Sequence, residues 1–365
     1  MAPRTVVVLV VCASMCVAEA APRAFDAAEP ACRWSWRSLG CLPASECKLT
    51  WKLRPRCVAK AKAVPPAECS SATANEVAAF EPSQKEHFNE VYNLPDPRLY
   101  YRGLLPTSYR APLVMARALQ AFTTDANDGK PLRVIDFACG YGGIGAMLRH
   151  NLTMEELYTY YSSTSTTSST LTNRIAMDRD WYGRHRSDAP AVHITGLEVA
   201  ERAMGYAAEM GLIDAIAHED LTASEPSAEL RRTLQAADLL VEAGSVSHGG
   251  VQLGVFRSIL ATGARPWIVR ISRPDADLHL VEEFLTSSGY QTDYFGPLVR
   301  YRKPLGSDEE VRVLDLATTL GKGAEEAISG GYIVARLSVS RPAADISRWP
   351  IDTLEQRCQA LGCFD

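Results

Sequence analysis

The sequence is short of three things, and each shortage removes a class of function. It has no surplus of basic charge: 38 Lys and Arg stand against 43 Asp and Glu, for a net charge of −5. Duplex-binding proteins carry a basic footprint that neutralises phosphates, so no nucleic-acid partner is expected. Beyond its first residues it has no long apolar run, so no stable membrane span is expected. It holds 10 cysteines, yet none are spaced C-x2-C and no paired histidines accompany them, which argues against a zinc site. What remains is 365 residues of 47% hydrophobic content, enough for one large core and one small accessory module.

The one apolar run, Thr5–Ala18, is fourteen residues long, short of the about 20 that a bilayer crossing needs. Arg4 precedes it, and Ala18-Glu19-Ala20 has the small-x-small form of a cleavage site. Residues 1–20 therefore read as a signal peptide that sends the chain into the secretory pathway, for secretion or for an organelle lumen. Two other readings stand beside it: an uncleaved interfacial anchor, and the first half of an organelle address continuing through Ala21-Pro22-Arg23. Cys32, Cys41, Cys47, Cys57 and Cys69 crowd into residues 21–75 with Trp34, Trp36 and Trp51, the pattern of a disulfide-stapled segment without a core of its own. Five is odd, so one of them either pairs with the tail or stays free. Asn151-Leu152-Thr153 is the one N-x-S/T sequon, open to glycosylation on that route.

Residues 76–110, broken by Pro95 and Pro97, read as a lid or linker, in which Tyr100, Tyr101, Arg102 and Tyr109 either close over a site or pack into a core. From 111 the chain alternates. Strands are expected at Leu132–Ala138, Ala191–Leu197, Ile213–His218, Asp238–Ala243 and Pro266–Ser272, with helices between them. Ser162–Thr172 is polar and of low complexity and is expected to be an exposed loop. Two final strands, Tyr290–Tyr301 and Tyr332–Ser340, are separated by a partly helical insertion. Strands spaced by helices imply an α/β fold: a doubly wound, mostly parallel seven-stranded sheet with a terminal antiparallel pair, preceded by the small Cys-rich segment. The catalytic body spans 111–342, and 343–365 is a C-terminal tail with Cys358 and Cys363.

The densest motif is Val134-Ile135-Asp136-Phe137-Ala138-Cys139-Gly140-Tyr141-Gly142-Gly143, a strand running into glycines and then a helix. Glycines there let the backbone approach a ligand. Gly140–Gly145 also satisfies G-x-G-x-x-G, the dinucleotide fingerprint, so an NAD(P)-dependent oxidoreductase is one alternative. Against it, Asp136 sits where a carboxylate would repel a pyrophosphate but attract a cation. The acid that dinucleotide folds place about 20 residues after the glycines would fall in the Ser/Thr-rich insertion. Cys139 reads as a small buried residue.

At these residues the chain resembles class I S-adenosylmethionine-dependent methyltransferases, over roughly 107–342. VIDFACGYG resembles their first motif. ITGLEVAERAMGYAAEMGL (Ile194–Leu212) resembles the second, HEDL (His218–Leu221) the third, and ADLLVEAGSVSHGG (Ala237–Gly250) that of strand four. The resemblance implies S-adenosyl-L-methionine as cofactor, held by Asp136, Ala138, Cys139, Gly140, Tyr141 and Gly142. It also implies Glu198 and Val199 at the ribose, Asp220 and Leu221 at the adenine, and Glu242 and Gly244 near the transferable methyl. His248, after strand four, is the candidate general base, with a solvent-facing loop histidine as the competing reading. The strand-four loop lacks the Asn/Asp-Pro-Pro-aromatic sequence of enzymes acting on amide or exocyclic base nitrogens. The function expected is methyl transfer to O or N of a small-molecule acceptor. The alternatives are a cofactor-binding protein without turnover, or the oxidoreductase. The oligomeric state is left open.

Overall fold

The computed structural model describes residues 45–49, 55–59, 92–123, 131–163, 170–188, 191–244, 249–347 and 349–364. The chain divides into two units, Met1–Thr73 and Ala74–Asp365. In the first, β1 (Ser45–Leu49) and β2 (Pro55–Ala59) pair antiparallel, in a register that sets Cys47 opposite Cys57.

The second unit is built on short aliphatic strands. β3 (Leu132–Phe137), β4 (Val192–Leu197), β5 (Ala215–Ala217), β6 (Leu239–Glu242) and β7 (Trp267–Ser272) are followed by the long strands β8 (Tyr290–Arg302) and β10 (Tyr332–Pro342). Their order across the sheet is β5-β4-β3-β6-β7-β10-β8, with the two-residue β9 (Ile328–Ser329) on β10. β3 to β7 pair parallel, and β10 runs antiparallel to both β7 and β8. This is the doubly wound sheet with an antiparallel end that the sequence pattern implied. The nearly continuous apolar strands explain why both faces are covered, since successive side chains point to opposite sides. Val134, Val241 and Val269 enter one core cluster, while their neighbours Ile135, Leu240 and Ile268 enter the other. The first cluster packs α2 (Ala111–Thr123), α3 (Gly143–Arg149) and α6 (Glu201–Glu209) on the sheet. The second packs α7 (Ala228–Ala236), α8 (Gly249–Ala261) and α9 (His279–Ser287) on the opposite face.

Two expectations need correction. The polar stretch Ser162–Thr172 is helical at both described ends: α4 (Met154–Ser163) runs into it, and α5 (Leu171–Arg184) begins within it, capped by the Thr170 side chain on the Asn173 N–H. An N-cap threonine is itself a polar, loop-like signal, which is why composition concealed the helix start. The insertion between β8 and β10 is partly helical, as expected, with α10 at Ser307–Thr319. The segment set apart as a tail contains α11 (Ile351–Ala360), which packs on α2 and β8 and buries Leu354, Cys358 and Cys363.

One buried ion pair joins the segment before the sheet to the insertion. Arg98 opens α1 (Arg98–Leu104) and is 1% exposed; Asp178 in α5 is 0% exposed. The guanidinium donates to both Asp178 oxygens at 2.6 and 3.0 Å, and Tyr160 and Tyr206 donate their hydroxyls to the same carboxylate at 2.7 and 2.9 Å. Burial opposes the Arg98 charge, but Asp178 and Asp96 outweigh it and hold the guanidinium protonated. A second network lies beside α10. Burial alone would raise the Glu309 carboxyl, but Arg302, donating at 2.5 and 2.7 Å, and Arg273 hold it down at about 2.

Asp178→Ala should cost about 3–5 kcal/mol in denaturant unfolding, because it strands a buried guanidinium. Replacing both partners with apolar residues, Arg98→Met with Asp178→Leu, should recover much of that loss. Acid should weaken the fold in two stages. Burial lowers His150 from 6.5 to about 4, so its contribution is lost as pH falls from 6.5 through 4. Glu309, lowered from 4.5 to about 2, loses its contribution, on the order of 3 kcal/mol, between pH 4.5 and 2. Glu309→Gln should be less stable at neutral pH and show a flatter stability curve below pH 4.5; an unchanged acid limb would remove Glu309 from this account.

Candidate functional site

The site begins where β3 ends. Ala138, Gly140 and Gly142 all have positive φ, at 57°, 51° and 74°, so three left-handed residues in five fold the chain sharply before α3. For Ala138 this conformation costs about 1–2 kcal/mol and is held by its N–H donating to the Leu197 carbonyl at 2.8 Å. The last glycine of the run, Gly145, is needed for contact: a Cβ there would sit 1.9 Å from the Leu212 carbonyl oxygen. Cys139 is buried, and its sulfur fills the space above Gly196, where an added Cβ would come within 2.6 Å. It is a packing residue, and burial raises its thiol well above the ordinary value.

Glu198 follows β4 directly and is buried. One carboxylate oxygen accepts from the Val199 and Ala200 N–H groups at 2.7 and 3.1 Å, and the other from Gly140 N–H at 3.0 Å. The Tyr92 hydroxyl also donates to it. Burial still raises the Glu198 carboxyl, with these donors working against the rise. Asp136 is 2% exposed, and its Oδ2 has no hydrogen-bond partner among the described residues. Burial, then the fields of Glu198 and Glu242, push its carboxyl well up. Glu242, at the end of β6, is 1% exposed. Three buried carboxyls thus gather at the C-terminal ends of three adjacent parallel strands. Behind them, Arg270 of β7 pairs in register with Glu242, wholly buried and, among the described residues, without a hydrogen bond to its guanidinium.

The remaining expected residues fall around this centre. Asp220 is half-buried, with Oδ1 accepting from the Thr222 N–H at 2.9 Å, and Leu221 is buried in the second cluster. Val199 accepts from the His218 ring at 3.1 Å. Gly244 turns the loop after β6, the strand-four loop of the sequence motif, at φ 77°. His248 lies outside the described residues.

Several site residues had no sequence signal. A strap of three, Tyr92-Asn93-Leu94, crosses the motif. Tyr92 reaches Glu198, and a Cβ on Gly140 would lie 2.5 Å from its hydroxyl oxygen. Asn93 caps α6 by accepting from the Arg202 N–H at 2.8 Å. Leu94 exchanges two hydrogen bonds with the Tyr141 hydroxyl, at 2.9 and 3.0 Å. Tyr100 packs edge-on against Tyr92, and Tyr101 stacks on Tyr161 at 4.7 Å inside the core. The two readings of the lid tyrosines therefore divide: Tyr101 is core, while Tyr100 faces the strap. Tyr109 and Tyr301 clasp the strand-four loop by donating to the Ala243 and Gly244 carbonyls at 2.9 and 3.2 Å. Tyr301 was embedded in an ordinary strand pattern, and Tyr92 lies more than 40 residues before Gly140, so neither spacing nor periodicity marks them.

The Tyr92 hydroxyl takes a place on Glu198 that a ligand diol would need. Tyr92→Phe should therefore raise affinity for adenosine by roughly tenfold, the worth of one hydrogen bond to a charged acceptor, and leave 2′,3′-dideoxyadenosine unchanged. Titration calorimetry of both nucleosides checks this, and equal gains for the two would refute the competition.

No protein-family model matches the chain, and no curated protein sequence matches it. Its structure is similar to those of several methyltransferases. The magnesium protoporphyrin IX methyltransferase ChlM from Synechocystis PCC 6803, with SAM bound, has 10% sequence identity and a TM-score of 0.32, over 63% of this chain and 80% of that one. The plantazolicin methyltransferase BpumL, in complex with a pentazolic desmethylPZN analog and SAH, has 11% identity and a TM-score of 0.32, over 63% and 84%. The N-methyltransferase NodS from Bradyrhizobium japonicum WM9, in complex with SAH, has 14% identity and a TM-score of 0.29, over 62% and 86%. At such identities the function must be argued from the chain's own residues.

Proposed function

We propose that the chain is an S-adenosyl-L-methionine-dependent methyltransferase acting on an oxygen or nitrogen of a small molecule. The observation that carries this reading is the trio Asp136, Glu198 and Glu242, buried together at the ends of adjacent strands. Their mutual repulsion is relieved by a cationic ligand and worsened by a pyrophosphate, which counts against the dinucleotide alternative. The orphaned Asp136 Oδ2 suits an ammonium donor, and Glu198, held in place by three backbone amides, suits a ribose diol. Asp220 and Leu221 are assigned to the adenine by the resemblance of His218–Leu221 to the third motif of that family.

When bound, this cofactor supplies an already activated methyl on a sulfonium, so the protein need only orient the acceptor, exclude water and take a proton where one is released. Tyr109 and Tyr301 wall the strand-four loop. Burial raises both phenols above their ordinary value, so they remain protonated donors at neutral pH and do not serve as bases. Proton removal, where the acceptor requires it, falls to His248 in this reading. The alternative is a cofactor-binding protein without turnover. The setting we infer is the secretory pathway, supported by the apolar leader 1–20 and the cysteines of 21–75.

Titration calorimetry should give binding with S-adenosylhomocysteine and none with NAD, and Glu198→Gln should weaken the former by at least roughly tenfold. Binding of NAD with no heat from S-adenosylhomocysteine would overturn the proposal. Labelled methyl transfer from S-adenosyl-L-methionine into a small-molecule extract separates the enzyme from the silent binder.

A further inference from the structure

The C-terminus of α11 carries a feature that the site does not use. Gly362 is left-handed, at φ 69°. Its N–H donates to the Gln359 carbonyl at 3.1 Å, and the Cys363 N–H donates to the Cys358 carbonyl at 2.9 Å. These two bonds define a Schellman cap, in which the residue two places past the helix end folds back onto the one three places before it. Those positions normally hold an apolar pair in contact. Here they hold Cys363 and Cys358, 0% and 1% exposed, with their thiols in hydrogen-bonding contact.

We propose that Cys358 and Cys363 are a modification site: they form a disulfide with each other as the chain folds in an oxidising medium. The geometry suits it, because the cap's crossed hydrogen bonds draw the two backbones to the close approach that a disulfide spans. The step is a thiol–disulfide exchange with a small-molecule or protein disulfide. A bond forms between the two Sγ atoms, two protons and two electrons leave the thiols, and the donor disulfide is reduced to two thiols. The timing follows from burial and from the contact, which pushes the Cys358 thiol up and suppresses thiolate in the folded chain. Oxidation therefore precedes packing of the formed cap against α2 and β8, and the finished bond is shielded from reductants.

The bond would hold more than the last turn. Arg117 of α2 donates to the Gly362 carbonyl, and the Phe364 ring occupies the space above Gly296 in β8, where a Cβ would come within 2.2 Å. α2 follows Tyr109 directly, and β8 carries Tyr301, so the cap fastens both elements that bring tyrosines to the strand-four loop.

The test uses the full chain, refolded in a glutathione/glutathione disulfide buffer, then denatured in excess alkylating agent without reductant and digested with trypsin. Cleavage after Arg357 releases both cysteines in one peptide, residues 358–365. The expected result is that peptide unalkylated and two hydrogens lighter than its dithiol form, with Cys139 alkylated. Recovery of the peptide doubly alkylated, or joined to an N-terminal cysteine peptide, overturns the proposal. Reduction should lower the thermal midpoint of the wild-type chain by about 5 °C more than that of the Cys358→Ala/Cys363→Ala variant; equal shifts in the two proteins also count against it. Neither readout depends on cofactor binding.

Discussion

The carboxylate of Asp178 is the point on which the arrangement around the site depends. It lies fully inside the protein and accepts four hydrogen bonds, two from Arg98, one from Tyr160 and one from Tyr206. Those donors come from α1, α4 and α6, while Asp178 itself sits on α5. Two desolvated charges are tolerated only because every lone pair and every facing donor is matched. Four separate helices are thereby held to one geometry, which apolar packing alone would leave freer to slide. Asp96 extends the network, binding Arg98 at 3.0 Å and Arg174 at 2.5 Å.

This anchoring bears directly on the site, because Asp96 and Arg98 lie only a few residues after the Tyr92-Asn93-Leu94 strap. With the far end fixed, the strap crosses the glycine turn and ties itself down at three consecutive residues. In the proposed function, entry of the cofactor to Glu198 would require release of Tyr92. The tyrosines of the region suit that role: each brings an apolar ring to cover the site and a hydroxyl to satisfy a buried acceptor. Electrostatics points the same way. Burial and the fields of Glu198 and Glu242 raise the proton affinity of Asp136, a cost that a cationic ligand would relieve.

Much of this was legible in the chain. The alternation of aliphatic strands with amphipathic helices is local and repetitive, and it gave the sheet, its parallel run and its antiparallel end. Asp136, Gly140, Gly142 and Glu198 were legible because each lies at a strand end, where a turn needs glycine or a buried acid needs amide donors. The helix starting at Leu171 was hidden because its cap and the preceding serines and threonines look alike in composition. The C-terminal helix was hidden because its apolar face, Leu354 and Cys358, is narrow, and its partners lie more than 50 residues away in β8 and more than 200 away in α2.

The sequence by itself determined what depends on neighbours within a turn or a strand: the periodicity that makes each element and the glycines that let the chain fold back. Only the tertiary structure decided which distant groups meet. It set Asp178 on Arg98, Tyr92 on Glu198, and Tyr301 on the Gly244 loop, pairs separated by 80, 106 and 57 positions. Local propensity carries no information about such pairs, because each is fixed by where the packed sheet brings its ends. The reason is energetic as well as geometric: a buried charge or hydroxyl takes whichever complementary partner the fold presents, since leaving it unmatched costs more than any local preference is worth.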